Sequence, residues 1–480
     1  MDRYFLTIDL GTTSVKLMVW DRTGKTISRE VYPVELAYPK PGWVECDPEA
    51  IAWSVQEALG KIDVPLEGIG LATQRETTVI WDGGGTPLYP AIVWQDRRTS
   101  PWCEAHQKER GFLYSRTGLI LDPYFSLSKL VWLLEHVPKG TVPYFGTLDS
   151  FLLWKLTGGQ SYLTDYTNAS RTMVYNIFSL EWDREIIRMF SLEGVNFPRA
   201  VSSFHRFGET KTRRGTVPIL AMLGDQQSSF LGQGCLKPGD VKNTYGTGSF
   251  LLAHCGDTTP CHSEGLIVTL ASQVSDRPVF ALEASAFSAG ALMEWLKNTG
   301  LITHAGETDD LARQARTIDD LVIIPAFCGL GAPHWDPYAR GAMLGLTPAV
   351  GRAEIVRACL EAVALESAAL IEQLCLSVPG ITEITVDGGM SQNAFLMQFQ
   401  ADVSGKNIRL FPDPEATSLG VFFLMANRLG YLEQEYLLEK RFSGTLYTPK
   451  MSESERRRYL AKWQRGIERV RGWSRHDEKL

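Results

Sequence analysis

A chain of 480 residues is too long for one ordinary hydrophobic core and implies two large domains. Its 44% hydrophobic and 21% charged residues are the balance of a soluble globular enzyme. The net charge of -7, with both signs interspersed, leaves no basic tract of the kind that follows nucleic acid or an anionic membrane surface.

No apolar stretch reaches the roughly 18 residues that suggest a membrane span. No secretory signal is expected, because Met1–Tyr4 is polar and the short apolar run after it breaks at Asp9. The eight cysteines are scattered without a CxxC pair and read as reduced thiols of a cytoplasmic protein.

The first element, RYFLTIDLGTTSVKLMVWDRTGK, reads as a β-hairpin: an apolar strand, a Gly/Thr turn and a second apolar strand. Asp9, Gly11, Thr12, Thr13, Ser14 and Lys16 cluster at its turn. A carboxylate ending a strand, followed by glycine and hydroxyls, suits a magnesium ion and a phosphate together. An ordinary Thr-rich turn fits the same residues. The strand LEGIGLATQ then leads into Arg75 and Glu76. Such a pair grips two hydroxyls, since Arg donates and Glu accepts; a surface ion pair is the competing reading.

Trp94 in AIVWQDRR, Tyr124 in LDPYFS and Phe287 in LEASAF suit the apolar wall of a small-polyol pocket, or simply the core. In ILAMLGDQQSSF an apolar strand ends at Asp225, which suits either a general base facing a cleft or a helix N-cap. A second hairpin, GDVKNTYGTGSFLLAHCGD, places Gly246, Thr247, Gly248 and Ser249 at its turn. Glycine in such turns lets a phosphate approach the backbone amides.

His254, Cys255, Cys261 and His262 match no standard zinc spacing, and no metal is expected there. VRACLEAVALESAALIEQL reads as a long amphipathic helix, ITEITVDGG as a strand and NAFLMQFQADVSG as a helix stopped by glycine. Asp387, Gly388, Gly389 and Asn393 form a strand-to-helix turn whose bare backbone suits a base or ribose; a turn without ligand fits equally. One hairpin in each half suggests two related α/β domains, residues 1–247 and 248–480, facing each other across a cleft.

Taken together, PKPGWVECDP, TQRETTVIWD, AIVWQDRRT, LDPYFS, TDYTNASRTM, GDQQSSFLGQ, KNTYGTGSF, GLGAPHWDPYARGA and FLMQFQAD resemble, in order, segments of the FGGY carbohydrate kinases, and within that family of its glycerol-specific members. The resemblance covers nearly the whole chain. It implies two ribonuclease H-like domains of the actin and sugar kinase superfamily. It also implies ATP and Mg2+ as cofactors and phosphorylation of glycerol to sn-glycerol 3-phosphate.

By the same resemblance Arg75, Glu76, Tyr124 and Asp225 contact glycerol, with Gln226 beside them. Trp94 and Phe287 line its carbon chain, and Asp225 takes the proton of the terminal hydroxyl. Thr12, Thr13 and Ser14 match the first phosphate loop, and Lys16 stands where a phosphate-contacting cation is usual. Thr247, Gly290, Gly389 and Asn393 match nucleotide contacts, and Asp9 the acidic residue near magnesium. A homo-oligomer, dimer or tetramer, is expected, with no nucleic acid and no membrane insertion. The alternatives are a kinase for erythritol or xylulose, and a nucleotide-binding regulator without catalysis. The pocket residues argue against the first, the retained Asp9 and Asp225 against the second.

The chain departs from its relatives at Leu10, where Gln is usual, and at Lys16, where Arg is usual. Lysine keeps the charge but loses the planar fork. Glu294 replaces a Gln that contacts nucleotide, so that contact is not carried over. FGETKTRRGTVPI is shorter than the Gly-rich loop that binds fructose 1,6-bisphosphate in some relatives, and insensitivity to that sugar is expected. A phosphorylated His-bearing loop is not evident.

Overall fold

Strand periodicity and tight polar turns build the first sheet. Tyr4–Leu10 pairs antiparallel with Ser14–Trp20, which pairs antiparallel with Thr26–Pro33. On its other side Tyr4–Leu10 runs parallel to Leu66–Thr73, which runs parallel to Gly215–Gly224, and Phe204–Thr212 closes the edge antiparallel. The computed structural model describes residues 3–475 except 139, 259–264, 272–274, 287 and 328. Phe287, Cys261 and His262 therefore lie outside the described residues.

The parallel strands Tyr4–Leu10 and Leu66–Thr73 are almost wholly buried, and Gly215–Gly224 is buried over its C-terminal half, as parallel strands covered on both faces must be. On one face lie helices Pro48–Lys61, capped by Asp47 with proline at its start, and Leu148–Leu156. Helix Ala416–Arg428 also packs on this sheet, where Phe422 stacks on Trp20 at 4.9 Å and meets Phe5 edge-on at 5.8 Å.

A second sheet repeats this plan. Val241–Tyr245 pairs antiparallel with Ser249–Gly256 and parallel with Glu383–Gly388, which runs parallel to Asn407–Leu410. In each sheet the first strand of a hairpin thus lies parallel to a strand whose C-terminal end carries candidate site residues. The helical pattern after residue 350 is helix Arg352–Ser377, and NAFLMQFQADVSG is helix Ala394–Ser404, ended by Gly405 at φ 66°.

The chain divides into two units, and not at residue 247 as expected. One comprises 1–234, 268–280 and 415–436; the other comprises 235–267, 281–414 and 437–480. A cut at 247 would split the second hairpin, whose strands begin at Val241 and end at Gly256. The return of 415–436 to the first unit follows from its apolar face, which the first sheet buries. Among the described residues no helix is long and apolar enough to cross a membrane.

Candidate active site

The strand Leu66–Thr73 is followed by Gln74, whose N–H donates to the Leu10 carbonyl at 2.7 Å. The next two residues make a tight turn. Thr77 N–H donates to the Arg75 carbonyl at 2.8 Å, and Glu76 between them has φ 63°. A non-glycine residue held there stores about 1–3 kcal/mol of backbone strain, which its surroundings must offset. They do so at both ends of Glu76. Its carbonyl accepts from the Thr78 and Ser126 hydroxyls at 3.0 Å, and its carboxylate accepts from Arg171 Nε at 2.6 Å.

Arg75, Glu76 and Arg171 are 3%, 1% and 0% exposed, so the surface ion pair reading of Arg75 and Glu76 is wrong. Two guanidiniums face the Glu76 carboxylate in the interior, Arg171 Nε at 2.6 Å and Arg75 Nε at 3.7 Å. Arg75 reaches three further groups. Its Nη2 donates to the Tyr124 hydroxyl at 3.4 Å and its Nη1 to Gln227 Oε1 at 3.3 Å, while Nε lies 3.5 Å from Asp225 Oδ1. Tyr124 meets Trp94 edge-on at 5.6 Å, and Trp94 Nε1 donates to Thr12 Oγ1 at 3.0 Å. Within this unit the candidate hydroxyl-binding pair, two candidate wall aromatics, the candidate base and the first hairpin turn are thus linked contact by contact.

Asp225 opens helix Asp225–Gly232 as its first residue; the cap position belongs to Gly224. The N-cap reading of Asp225 is corrected accordingly. Its Oδ1 accepts the Gln226 N–H at 2.7 Å, and the Gln226 amide lies 3.5 Å from Oδ2. The helix is seated by glycines: a Cβ on Gly232 would collide with the Ala416 carbonyl oxygen, and one on Gly420 with that of Ser228. The Asp225 side chain is 25% exposed and open to a partner, unlike its buried neighbours.

Asp9 lies at the end of the first strand, opposite Lys16. Burial pushes its carboxyl up to about 6; Lys16 opposes this, and the carboxylates of Asp225 and Glu415 add to the rise. Lys16 pairs with Glu415 and lies 3.6 Å from Asp9, so its charge is shared between two carboxylates. In the turn itself Gly11 N–H donates to the Ser14 carbonyl at 2.9 Å, and the Thr13 carbonyl accepts from Val34 N–H. Thr13 faces solvent.

The second unit holds a cavity of about 530 Å3 lined by Thr247, Gly290, Gly389 and Asn393 among others. Its floor is a backbone crossing. Gly290 N–H donates to the Gly246 carbonyl at 2.9 Å, and a Cβ on Gly290 would stand 2.6 Å from that oxygen. Asn393 caps helix Ala394–Ser404 through Leu396 N–H at 2.8 Å, and its amide donates to Thr308 at 3.0 Å. Glu294 also lines the cavity, paired with Lys297.

Sequence reasoning overlooked Arg171, Gln227 and Lys129. Lys129 is buried and donates to the carbonyls of Pro123, Tyr124 and Phe125 at 2.7, 2.7 and 3.3 Å, holding the segment that carries Tyr124. Burial pushes its ammonium down to about 7, with Glu76 and Asp96 opposing. The signal was an internal Lys on an apolar helix face, in SLSKLVWLLE. Elsewhere, Arg213 and Arg214 sit at the turn of hairpin Phe204–Gly224, and both pair with Asp63. His254 accepts from Gly256 N–H at 3.0 Å, and burial pushes the Cys255 thiol up to about 12.

The FGGY family of carbohydrate kinases, N-terminal domain, matches residues 4–232, and the C-terminal domain of the same family matches residues 241–427. The chain belongs to the FGGY carbohydrate kinases. Relatives in this family include the glycerol kinase of Symbiobacterium thermophilum, 41% identical over 98% of this chain and 99% of that protein. The glycerol kinase of Petrotoga mobilis is 40% identical over the same shares. Among solved FGGY structures, Plasmodium falciparum glycerol kinase with ADP superimposes with a TM-score of 0.90 at 30% identity, covering 98% of each chain. The xylulose kinase of Lactobacillus acidophilus, at TM-score 0.86 and 21% identity, shares the fold. The two-unit α/β architecture described above is the FGGY kinase fold.

Proposed function

We propose that this FGGY kinase transfers the γ-phosphoryl group of ATP to a terminal hydroxyl of glycerol, giving sn-glycerol 3-phosphate and ADP. The observation that carries the reading is the buried Arg75–Glu76–Tyr124 cluster joined to a partly exposed Asp225. A neutral polyol offers hydroxyls that both donate and accept. Arg75 supplies donors, Glu76 supplies a charged acceptor, and the Trp94 and Tyr124 rings supply an apolar face for the carbons. Full-length similarity to glycerol kinases supports the choice of glycerol within the family.

Asp225 is the group that takes a proton from the reacting hydroxyl. The hydroxyl oxygen then bonds to the γ-phosphorus as the bond to the bridging oxygen of ADP breaks. Thr12, Thr13, Ser14 and Lys16 serve the phosphates from the first unit. Thr247, Gly290, Gly389 and Asn393 serve the nucleotide in the second.

Asp9 fits a magnesium ion as a carboxylate at the strand end beside the first hairpin turn; burial does most to raise it, and the nearby carboxylates of Asp225 and Glu415 add to the rise. Magnesium keeps several waters and needs only one or two protein carboxylates, so Asp9 would hold it directly or through a water, leaving Asp225 to the hydroxyl. When bound it neutralises charge on the β- and γ-phosphates.

The test is ADP release from ATP with glycerol, dihydroxyacetone, erythritol and xylulose. The kcat/KM for glycerol is expected to exceed those for erythritol and xylulose by about tenfold or more. Preference for xylulose or erythritol would replace glycerol as substrate, and no ADP release with any of them would end the kinase reading.

The crossing at Gly290 gives a further expectation. Gly290→Ala must push the Gly246–Thr247 turn aside, an overpacking cost of about 1–3 kcal/mol. The KM for ATP should rise roughly 5- to 150-fold with the KM for glycerol little changed. Initial rates at varied ATP measure it, and an unaltered ATP dependence would remove Gly290 from the nucleotide site.

A further inference from the structure

Apart from Arg171, the TDYTNASRTM segment carries no role in the proposal above, yet it touches the ends of both strands that lead into the site. Asp165 is fully buried and accepts five hydrogen bonds. They come from Thr167 N–H and Asn168 N–H at 3.0 Å, the Asn168 amide at 2.9 Å, and the Thr167 and Ser203 hydroxyls at 2.7 Å. A carboxylate only accepts, so the single hydroxyl proton of Thr167 is committed to it. The Thr167 oxygen is thereby left as an acceptor, and it receives the Gly224 N–H at 2.8 Å. Gly224 immediately precedes Asp225. On the neighbouring strand, Asn168 Oδ1 accepts from Thr73, the residue paired with Gly224 across the sheet, at 3.3 Å.

We propose that Thr167, oriented by Asp165, is a positioning residue for Asp225: it fixes the backbone amide from which the base departs the sheet. The proposal rests on the reading of Asp225 as base. Thr167 does not touch the reacting groups. It limits the rotation of the Leu223–Gly224 peptide, the last one before Asp225, and so helps set where the carboxylate stands relative to the hydroxyl it deprotonates. Displacing such a group by about 1 Å costs on the order of 100-fold in rate.

The experiment compares Thr167→Val, Thr167→Ser and Ser203→Ala in the full chain. Thr167→Val keeps the shape but removes both the donor and the acceptor. Its kcat should fall roughly 10- to 100-fold, with the glycerol KM within about threefold of the parent. Thr167→Ser keeps both bonds and should restore kcat to within about twofold. Ser203→Ala removes a different buried bond to the same carboxylate. It should lower thermal stability without the loss of kcat. In an Asp225→Asn background Thr167→Val should cost nothing further, since the two act as one unit.

A folded Thr167→Val with parental kcat overturns the proposal. So does a loss of kcat shared equally by Ser203→Ala, or a Thr167→Ser as impaired as the valine variant. If Thr167→Val does not fold, Thr167→Ala is judged by the same criteria. Turnover surviving in Asp225→Asn alone would instead remove the base itself. An inactive Asp225→Asn beside an unimpaired Thr167→Val removes only the role of Thr167.

Discussion

The Asp225→Asn variant is expected to lose about 100- to 10,000-fold in turnover while still binding glycerol. The amide is nearly isosteric with the carboxylate and can still accept a hydrogen bond from Gln226 N–H, so helix Asp225–Gly232 should keep its place. It cannot take a proton at neutral pH. The side chain is partly exposed, whereas Arg75 and Glu76 beside it are buried, so the change should spare the fold. Steady-state rates give the turnover, and calorimetric titration with glycerol gives the binding. A variant that turns over within tenfold of the parent would leave the chemistry without this base.

Arg75→Ala should act on binding first. Arg75 donates to Tyr124 and Gln227 and lies beside both Glu76 and Asp225, so its loss removes a charged donor from the polyol site and one of two cations facing a buried carboxylate. A hydrogen bond to a charged group contributes about 1.5–3 kcal/mol, which corresponds to a glycerol KM raised roughly 10- to 150-fold. Removing one partner of a buried ion pair also destabilises the fold by roughly 3–5 kcal/mol, although Arg171 remains to hold Glu76 and lessens the loss. Thermal unfolding run beside the kinetics separates the two effects. Arg75→Lys should recover part of the stability and little of the affinity, because an ammonium cannot serve Tyr124, Gln227 and a ligand from one plane. An unchanged glycerol KM in a folded Arg75→Ala protein would place the polyol elsewhere.

Both predictions concern residues that the sequence singled out, but for reasons it could not complete. Arg75 and Glu76 stood out as adjacent opposite charges after an apolar strand, and from that segment alone a solvated pair fitted as well. What buries them comes from far along the chain: Arg171 is 95 residues from Glu76, and Gln227 is 152 from Arg75. Burial of a charge is a property of what packs over it, and no local pattern encodes that. The positive φ of Glu76 is hidden in part for the same reason, since bonds from Ser126 and Arg171, far along the chain, help offset its strain.

The amino-acid sequence by itself determined the features that depend on neighbours along the chain. These are the two hairpins with their Gly/Thr turns, the strands that end at Thr73, Gly224 and Gly388, and the helix stopped by Gly405. Turn chemistry and side-chain periodicity are local, so a short window contains them. The tertiary structure alone decided where one unit ends and the other resumes. Helix Ala416–Arg428 returns to the first sheet because its apolar face finds Phe5 and Trp20 there, and because Gly420 admits the helix that begins at Asp225. It also decided the function of the TNASR segment. That short run, which in sequence only carried part of the family resemblance, becomes a buried brace once two strand ends are brought beside it. Hydrogen bonds between residues 57 to 152 positions apart form only when the sheet has set their distance, and no short window of sequence contains that distance.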